Sequence, residues 1–83
     1  MKYEIEFGPK AKKTITKLPE DIALRIIKKV EEVKNNPFRY LEHYEGDFYK
    51  LRIGDYRALI DVGFEKKILV IKVIDKRGRI YKR

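Results

Sequence analysis

The chain has 83 residues, 21 Lys and Arg against 13 Asp and Glu, and a formal charge of +8. That length predicts one domain with a small core, too small for a large enclosed cofactor site. No cysteine and a single histidine are present, which excludes disulfides and a cysteine nucleophile and leaves a metal site short of ligands.

Tyr3, Ile5 and Phe7 alternate with Lys2, Glu4 and Glu6, which predicts a strand with one wet face. Gly8-Pro9 ends it, and proline suits the first position of a helix. Ala11, Ile15 and Leu18 fall at i, i+4 and i+7, so a short helix is expected over 9–17. Pro19 opens a second helix, with Glu20 and Asp21 in its first turn, where the helix dipole favours anions. Ile22, Ile26, Val30 and Val33 form its inner stripe, widened by Ala23 and Ile27. Asn35-Asn36-Pro37 is the predicted stop, asparagine accepting a left-handed conformation and proline blocking continuation. Residues 38–47 read as a polar, aromatic-rich loop.

Three strands follow, at 48–53, 56–62 and 67–75. Gly54-Asp55 fits a two-residue hairpin turn, which pairs Ile53 with Tyr56 and sets Arg52 directly across from Arg57. Like charges facing each other across strands are destabilising, so an anion is expected at that place. A loop over 63–66 pairs Val62 with Lys67 and Arg57 with Lys72. The last strand is apolar on both faces and is expected to be central. The order β-α-α-β-β-β predicts a two-layer α+β fold, an antiparallel sheet with two helices packed on one face. The other face carries Lys50, Arg52, Arg57 and Lys72 beside Phe48, Leu59, Val70 and Ile74.

Charge is unevenly distributed. Residues 1–49 carry a net +1 and residues 50–83 a net +7. Such asymmetry points to a polyanionic partner, a nucleic acid or an acidic protein. No apolar run approaches the ~20 residues of a membrane span. Acids in Met1-Lys2-Tyr3-Glu4-Ile5-Glu6-Phe7 interrupt what a signal peptide would keep apolar. A cytoplasmic protein with no membrane association and no cofactor is therefore expected.

The chain contains no serine and no glycine-rich phosphate loop. His43 reads as a solvated loop residue. What remains is a set of Lys, Arg and Tyr. Cleaving RNA requires a 2′-hydroxyl to be deprotonated, the phosphorane charge stabilised and the leaving oxygen protonated. Arginines bind phosphate bidentately and stabilise added charge. Cations disfavour the charged form of a neighbouring lysine, so Lys50, two residues from Arg52, suits the base. Tyr81, among arginines, suits stacking on a base or proton transfer. Arg77 and Arg79 in the basic terminus supply phosphate affinity.

These residues carry a family likeness. Leu18-Pro19, the Asn36-Pro37 stop, the run Tyr49-Lys50-Leu51-Arg52-Ile53-Gly54-Asp55-Tyr56-Arg57, and Lys76-Arg77 with Tyr81 resemble the RelE branch of the RelE/ParE toxin superfamily over essentially the whole chain. The resemblance implies a RelE-like fold and a type II toxin that cuts mRNA in the ribosomal A site without a metal. It also implies a RelB-type antitoxin that wraps the toxin, and the ribosome and mRNA as further partners. By position, Lys50 resembles the general base with Arg52 assisting, and Arg57 the clamp on the phosphate. Arg77 resembles the residue stabilising the leaving group, and Tyr81 the tyrosine that stacks on the substrate base. Lys72, Lys76, Arg79, Lys82 and Arg83 are expected to add RNA contacts. Many relatives have a histidine where Lys76 stands, and the compact spacing to Tyr81 lets Arg79 share the role of Arg77. The alternatives are a ParE-like inhibitor of DNA gyrase and a degenerate toxin that only binds its antitoxin.

Overall fold

The structure, a computed structural model, describes residues 2–76. Its elements are β1 (Glu4–Phe7), α1 (Pro9–Lys17), α2 (Glu20–Val33), α3 (Pro37–Tyr40), β2 (Glu42–Glu45), β3 (Phe48–Ile53), β4 (Tyr56–Gly63) and β5 (Ile68–Lys76). They form one five-stranded sheet in the order β1-β5-β4-β3-β2. Among the described residues no helix is long and apolar enough to cross a membrane.

The two-layer α+β reading holds, but the sheet is mixed rather than antiparallel. β2, β3, β4 and β5 run antiparallel to their neighbours, while β1 lies parallel to β5, Glu4 beside Ile68 and Phe7 beside Ile71. Hairpin turns dictate the direction of the later strands. β1 is joined to the rest through helices, so no turn fixes its sense. Its ends are tied by the Glu4 amide donating to the Lys67 carbonyl at 2.8 Å and the Gly8 amide donating to the Ile71 carbonyl at 2.9 Å.

α1 begins with Pro9 at its first turn and stops at Leu18, which is extended (φ −82°, ψ 154°). Pro19 disfavours a helical conformation in the residue before it, which explains that stop. α2 buries Ile26, Val30 and Val33 as expected. Ile27 does not widen the stripe; it is 37% exposed, and neighbouring Leu24 is 56% exposed. The stop of α2 differs too. Asn36 has φ −153°, and Pro37 opens the short α3 instead of merely ending α2.

The expected loop over 38–47 therefore holds α3 and the edge strand β2. The strand is Glu42-His43-Tyr44-Glu45, mostly exposed, with no apolar alternation. Charged residues are tolerated on edge strands because one side of the ladder faces water. That is why the pattern of this segment conceals a strand.

The first hairpin forms as predicted, Ile53 opposite Tyr56 and Arg52 opposite Arg57, with Gly54 at φ +60° in the turn. The second differs. Gly63 stays in the strand opposite Ile68, Val62 pairs with Leu69, and Lys67 takes φ +56° to close the loop. A Cβ at Gly63 would lie 2.8 Å from Ile68 Cγ2, so glycine permits the close approach there. A bulge at Leu59/Ile60 then leaves Lys72 between the pairs Leu59–Val73 and Ile60–Ile71. An extra residue on one strand exchanges the faces of everything beyond it. Val73 thus takes the open face expected for Ile74, and Ile74 is buried at 3% exposure. Arg57 faces Asp75, not Lys72.

The core lies between the helices and one sheet face. Ile26, Val30 and Val33 of α2 join Leu51, Ile53, Ala58, Ile60, Val62, Leu69, Ile71 and Ile74, with Ala11 of α1. The opposite face of the sheet carries the candidate site.

Candidate functional site

Register arranges the open face in rows. At the Gly54 end, Arg52, Arg57 and Asp75 lie side by side across β3, β4 and β5. In the next row Glu42, Lys50, Leu59 and Val73 cross from β2 to β5. The third row contains Glu45, Phe48, Asp61 and Val70. Lys50, Arg52 and Arg57 are therefore drawn together on neighbouring strands, as the alternation predicts. Arg52 is exposed, while Arg57 and Lys50 are half-buried.

Two carboxylates enter this cluster that sequence reasoning did not place there. Glu42 Oε1 lies 3.8 Å from Lys50 Nζ, and Asp75 is the register partner of Arg57. Glu42 is 78% exposed, so its pair with Lys50 is of the weak, solvent-screened kind. Asp75 Oδ1 also accepts a 2.7 Å hydrogen bond from the Lys76 amide. Glu42 sits on a strand with no apolar alternation to mark it, and Asp75 enters the row only because the bulge alters the register. The confrontation of Arg52 with Arg57 is therefore real, but tempered on its β5 side.

Tyr44 adds an aromatic ring whose centroid is 5.8 Å from Lys50 Nζ. His43 is directed elsewhere. Its Nε2 is 2.9 Å from the Gly46 carbonyl oxygen, and its ring meets Tyr49 edge-on at 5.1 Å. Tyr49 belongs to the helix-side face, so the histidine does not adjoin Lys50. Among the described residues no group of three or more His, Asp or Glu is placed to hold a metal ion.

Of the expected RNA-contact residues, Lys72 lies at the bulge beside Phe48, Leu59 and Val73. Lys76 pairs with Tyr56 and lines a cleft with Ile22 and Asp55, on the helix side at the end of the sheet. It is not brought to Lys50 and Arg57. Arg77, Arg79, Tyr81, Lys82 and Arg83 lie outside the described residues.

Comparisons with known proteins show the family and the fold. Residues 5–81 match the family described as ParE toxin of the type II toxin-antitoxin system parDE. The chain belongs to the RelE/ParE family of type II toxins. It is 26% identical over 88 residues to RelE1 of Methanocaldococcus jannaschii, covering 99% of this chain and 98% of that one. Its fold is similar to the toxin-antitoxin complex RelBE2 of Mycobacterium tuberculosis, with a TM-score of 0.84 at 23% identity, over 93% of this chain and 100% of the other. It is similar also to the E. coli RelBE complex, with a TM-score of 0.75 at 28% identity, over 93% of this chain and 99% of that one.

In this toxin a further set of charges borders Arg52. Arg25, Lys28, Lys29, Glu31 and Glu32 of α2 line a groove of about 650 Å³ with Arg52 and Gly54. Arg25 Nη1 lies 3.8 Å from where a Cβ on Gly54 would stand. The exposed face of α2 thus reaches the turn that carries the arginine pair, a juxtaposition with no signal in the sequence because it joins elements about 25 residues apart.

Proposed function

We propose that this toxin is an endoribonuclease that cleaves mRNA in the ribosomal A site and that a RelB-type antitoxin holds it in check. The observation that carries the reading is the placement of Arg52 against Arg57, with Lys50 in the adjoining row, on the sheet face opposite the helix-packed core. Three cations on rigid strands make a preorganised receptor for the charge that develops on a phosphorane. The 26–28% identity to RelE1 and to the E. coli RelBE complex supports the same reading.

In this mechanism the 2′-hydroxyl proton passes to Lys50 Nζ as the 2′-oxygen attacks the adjacent phosphorus. Arg57, held half-buried between Arg52 and Asp75, binds the non-bridging oxygens. Arg52 assists from the exposed end of the row. The bond to the 5′-oxygen breaks, leaving a 2′,3′-cyclic phosphate, and the 5′-oxygen takes a proton from water to become a 5′-hydroxyl. The family resemblance assigns Arg77 to the leaving oxygen and Tyr81 to the substrate base. Glu42 must yield its place beside Lys50 to the ribose.

The test is incubation of the toxin with ribosomes programmed with mRNA. Transcripts cut within the A-site codon are expected, with naked RNA cut slowly or not at all. The second reading, a gyrase inhibitor, is favoured by the family match, which is described as ParE. Intact transcripts together with blocked supercoiling would establish it instead.

A further inference from the structure

Among the described elements α1 is the most one-sided in charge. Its nine residues Pro9–Lys17 include four lysines and no acid. The near-neutral charge of the N-terminal half conceals this, because its acids fall mainly in β1, α2 and β2. Lys10, Lys13 and Lys17 follow a spacing of i, i+3 and i+7, so they share one helical face. That face borders the second half of β5, beyond the point where β1 ends.

Two grooves meet there. One, of about 500 Å³, lies among Gly8, Pro9, Lys10, Phe48, Leu59, Lys72 and Val73. The other, of about 350 Å³, has Lys10, Lys13 and Lys17 on one bank and Val73, Ile74 and Asp75 on the other. Lys10 and Val73 belong to both, so the two form one trough. Its floor is apolar and includes an aromatic ring, and its α1 bank is cationic. Among the described residues Asp75 is the one carboxylate that lines it, and it lies at the end facing Arg57.

We propose that this trough is a track for single-stranded RNA, holding the nucleotides next to the scissile phosphate with bases on Phe48, Leu59 and Val73 and phosphates along Lys10, Lys13 and Lys17. The proposal rests on the reading of the site as RNA-cleaving and extends it to neighbouring nucleotides. Three arguments carry it. First, the track leads into the charged rows. Phe48 precedes Lys50 by two residues, and Leu59 follows Arg57 by two, a step of about 7 Å along a strand. Second, the lysine bank extends about 10 Å along α1, enough to follow a backbone past more than one phosphate. Third, an aromatic and aliphatic floor beside a cationic bank is the combination that binds single strands without reading their sequence, since every base has a π face. Lys72 stands on the rim of the same floor, which gives the bulge a use: it frees this lysine from the ladder.

The experiment measures binding and cleavage separately. Binding uses fluorescence anisotropy with a labelled ten-nucleotide RNA whose 2′-hydroxyls are methylated, so that it cannot be cut, at several salt concentrations. Cleavage uses programmed ribosomes. The variant K10Q/K13Q/K17Q is compared with K2Q/K12Q/K66Q, which removes the same charge from exposed positions outside the trough. Circular dichroism confirms folding of each. Losing three phosphate contacts should weaken the decanucleotide at least tenfold and reduce the log–log salt slope by about 2, whereas the control should change far less. F48L should weaken binding several-fold with the slope unchanged, because it removes stacking and no charge. Equal effects of the two triple variants, or no effect of F48L, overturn the track. Unchanged RNA binding with a lost antitoxin complex assigns the trough to the antitoxin and also overturns it. Wild-type protein that binds the decanucleotide through these residues yet leaves programmed mRNA intact upholds the track and refutes cleavage. Cleavage with an unaltered KM in K10Q/K13Q/K17Q does the reverse.

Discussion

The two faces of this sheet obey different rules. Along β4, Ala58, Ile60 and Val62 enter the core, while Arg57, Leu59 and Asp61 alternate with them on the open side. The buried face sets the register. A slip of one residue would drive Arg57 and Asp61 into the core. Burying a Leu or Ile side chain contributes about 1.5–3 kcal/mol, whereas two like charges opposed on a surface cost at most about 1 kcal/mol. Leu51, Ile53, Ala58 and Ile60 therefore hold the hairpin in place against the repulsion between Arg52 and Arg57. A small protein concentrates cations in this way: one face supplies the rigidity, and the other is left to collect charge.

Substitutions on opposite faces of β4 should separate these roles. Ile60→Ala leaves a cavity in the core, where Ile60 is 1% exposed. It should lower stability by about 2–5 kcal/mol, read by denaturant unfolding, with activity lost only as the protein unfolds. Arg57→Ala should do the converse. A rate loss of about 10²–10³-fold on programmed ribosomes is expected, the usual cost of removing one preorganised donor to a developing oxyanion. Its midpoint of unfolding should change little, since Arg52 loses a like-charged neighbour while Asp75 loses a facing cation. A sharp fall in stability in Arg57→Ala would show that the guanidinium is structural and that the division between faces is wrong.

The contrast also explains which features could be read from the sequence. The 48–57 hairpin was legible because period-two alternation and a glycine in the turn agree, and both are local. α1 and α2 were legible from their stripes and from Pro9 and Pro19. Other features were not. β2 has no apolar rhythm, because an edge strand need not bury a face. The bulge at Leu59/Ile60 is invisible in β5, whose residues are apolar on both sides and accept either register. The parallel placement of β1 depends on helices that carry the chain away before it returns. Of the candidate cluster, Lys50, Arg52 and Arg57 were placed correctly by alternation. Lys72, Asp75 and Glu42 were misplaced or missed, because their positions rest on the bulge and on the hidden strand.

The turn links the two faces, and Gly54 tests that link. It holds φ +60°, and a Cβ there would meet only Arg25 Nη1 at 3.8 Å, an ordinary contact. Gly54→Ala should therefore cost about 1–2 kcal/mol from backbone strain alone. In a chain of this size each kcal/mol shifts the melting temperature by about 4–8 °C. Gly54→Asn should cost less, because asparagine tolerates the left-handed region. If alanine and asparagine behaved alike, contact with Arg25 rather than backbone conformation would govern the turn.

The smallest expected effect addresses the carboxylate beside the proposed base. Glu42 lies on the exposed edge strand 3.8 Å from Lys50 Nζ, so Glu42→Gln should leave the melting temperature unchanged. It removes a negative charge from the face that is to receive a polyanion. An exposed, solvent-screened carboxylate contributes only a fraction of a kcal/mol, and RNA should bind about twofold more tightly at low salt. Glu65→Gln, in the exposed β4–β5 turn, makes the same change in net charge away from the cluster. Tightening by Glu42→Gln alone would show that the carboxylate acts on the ligand of Lys50. Equal tightening by both would show that only total charge matters. In that case the gathering of cations on the open face would confer attraction without position, which clamping a phosphorane could not use.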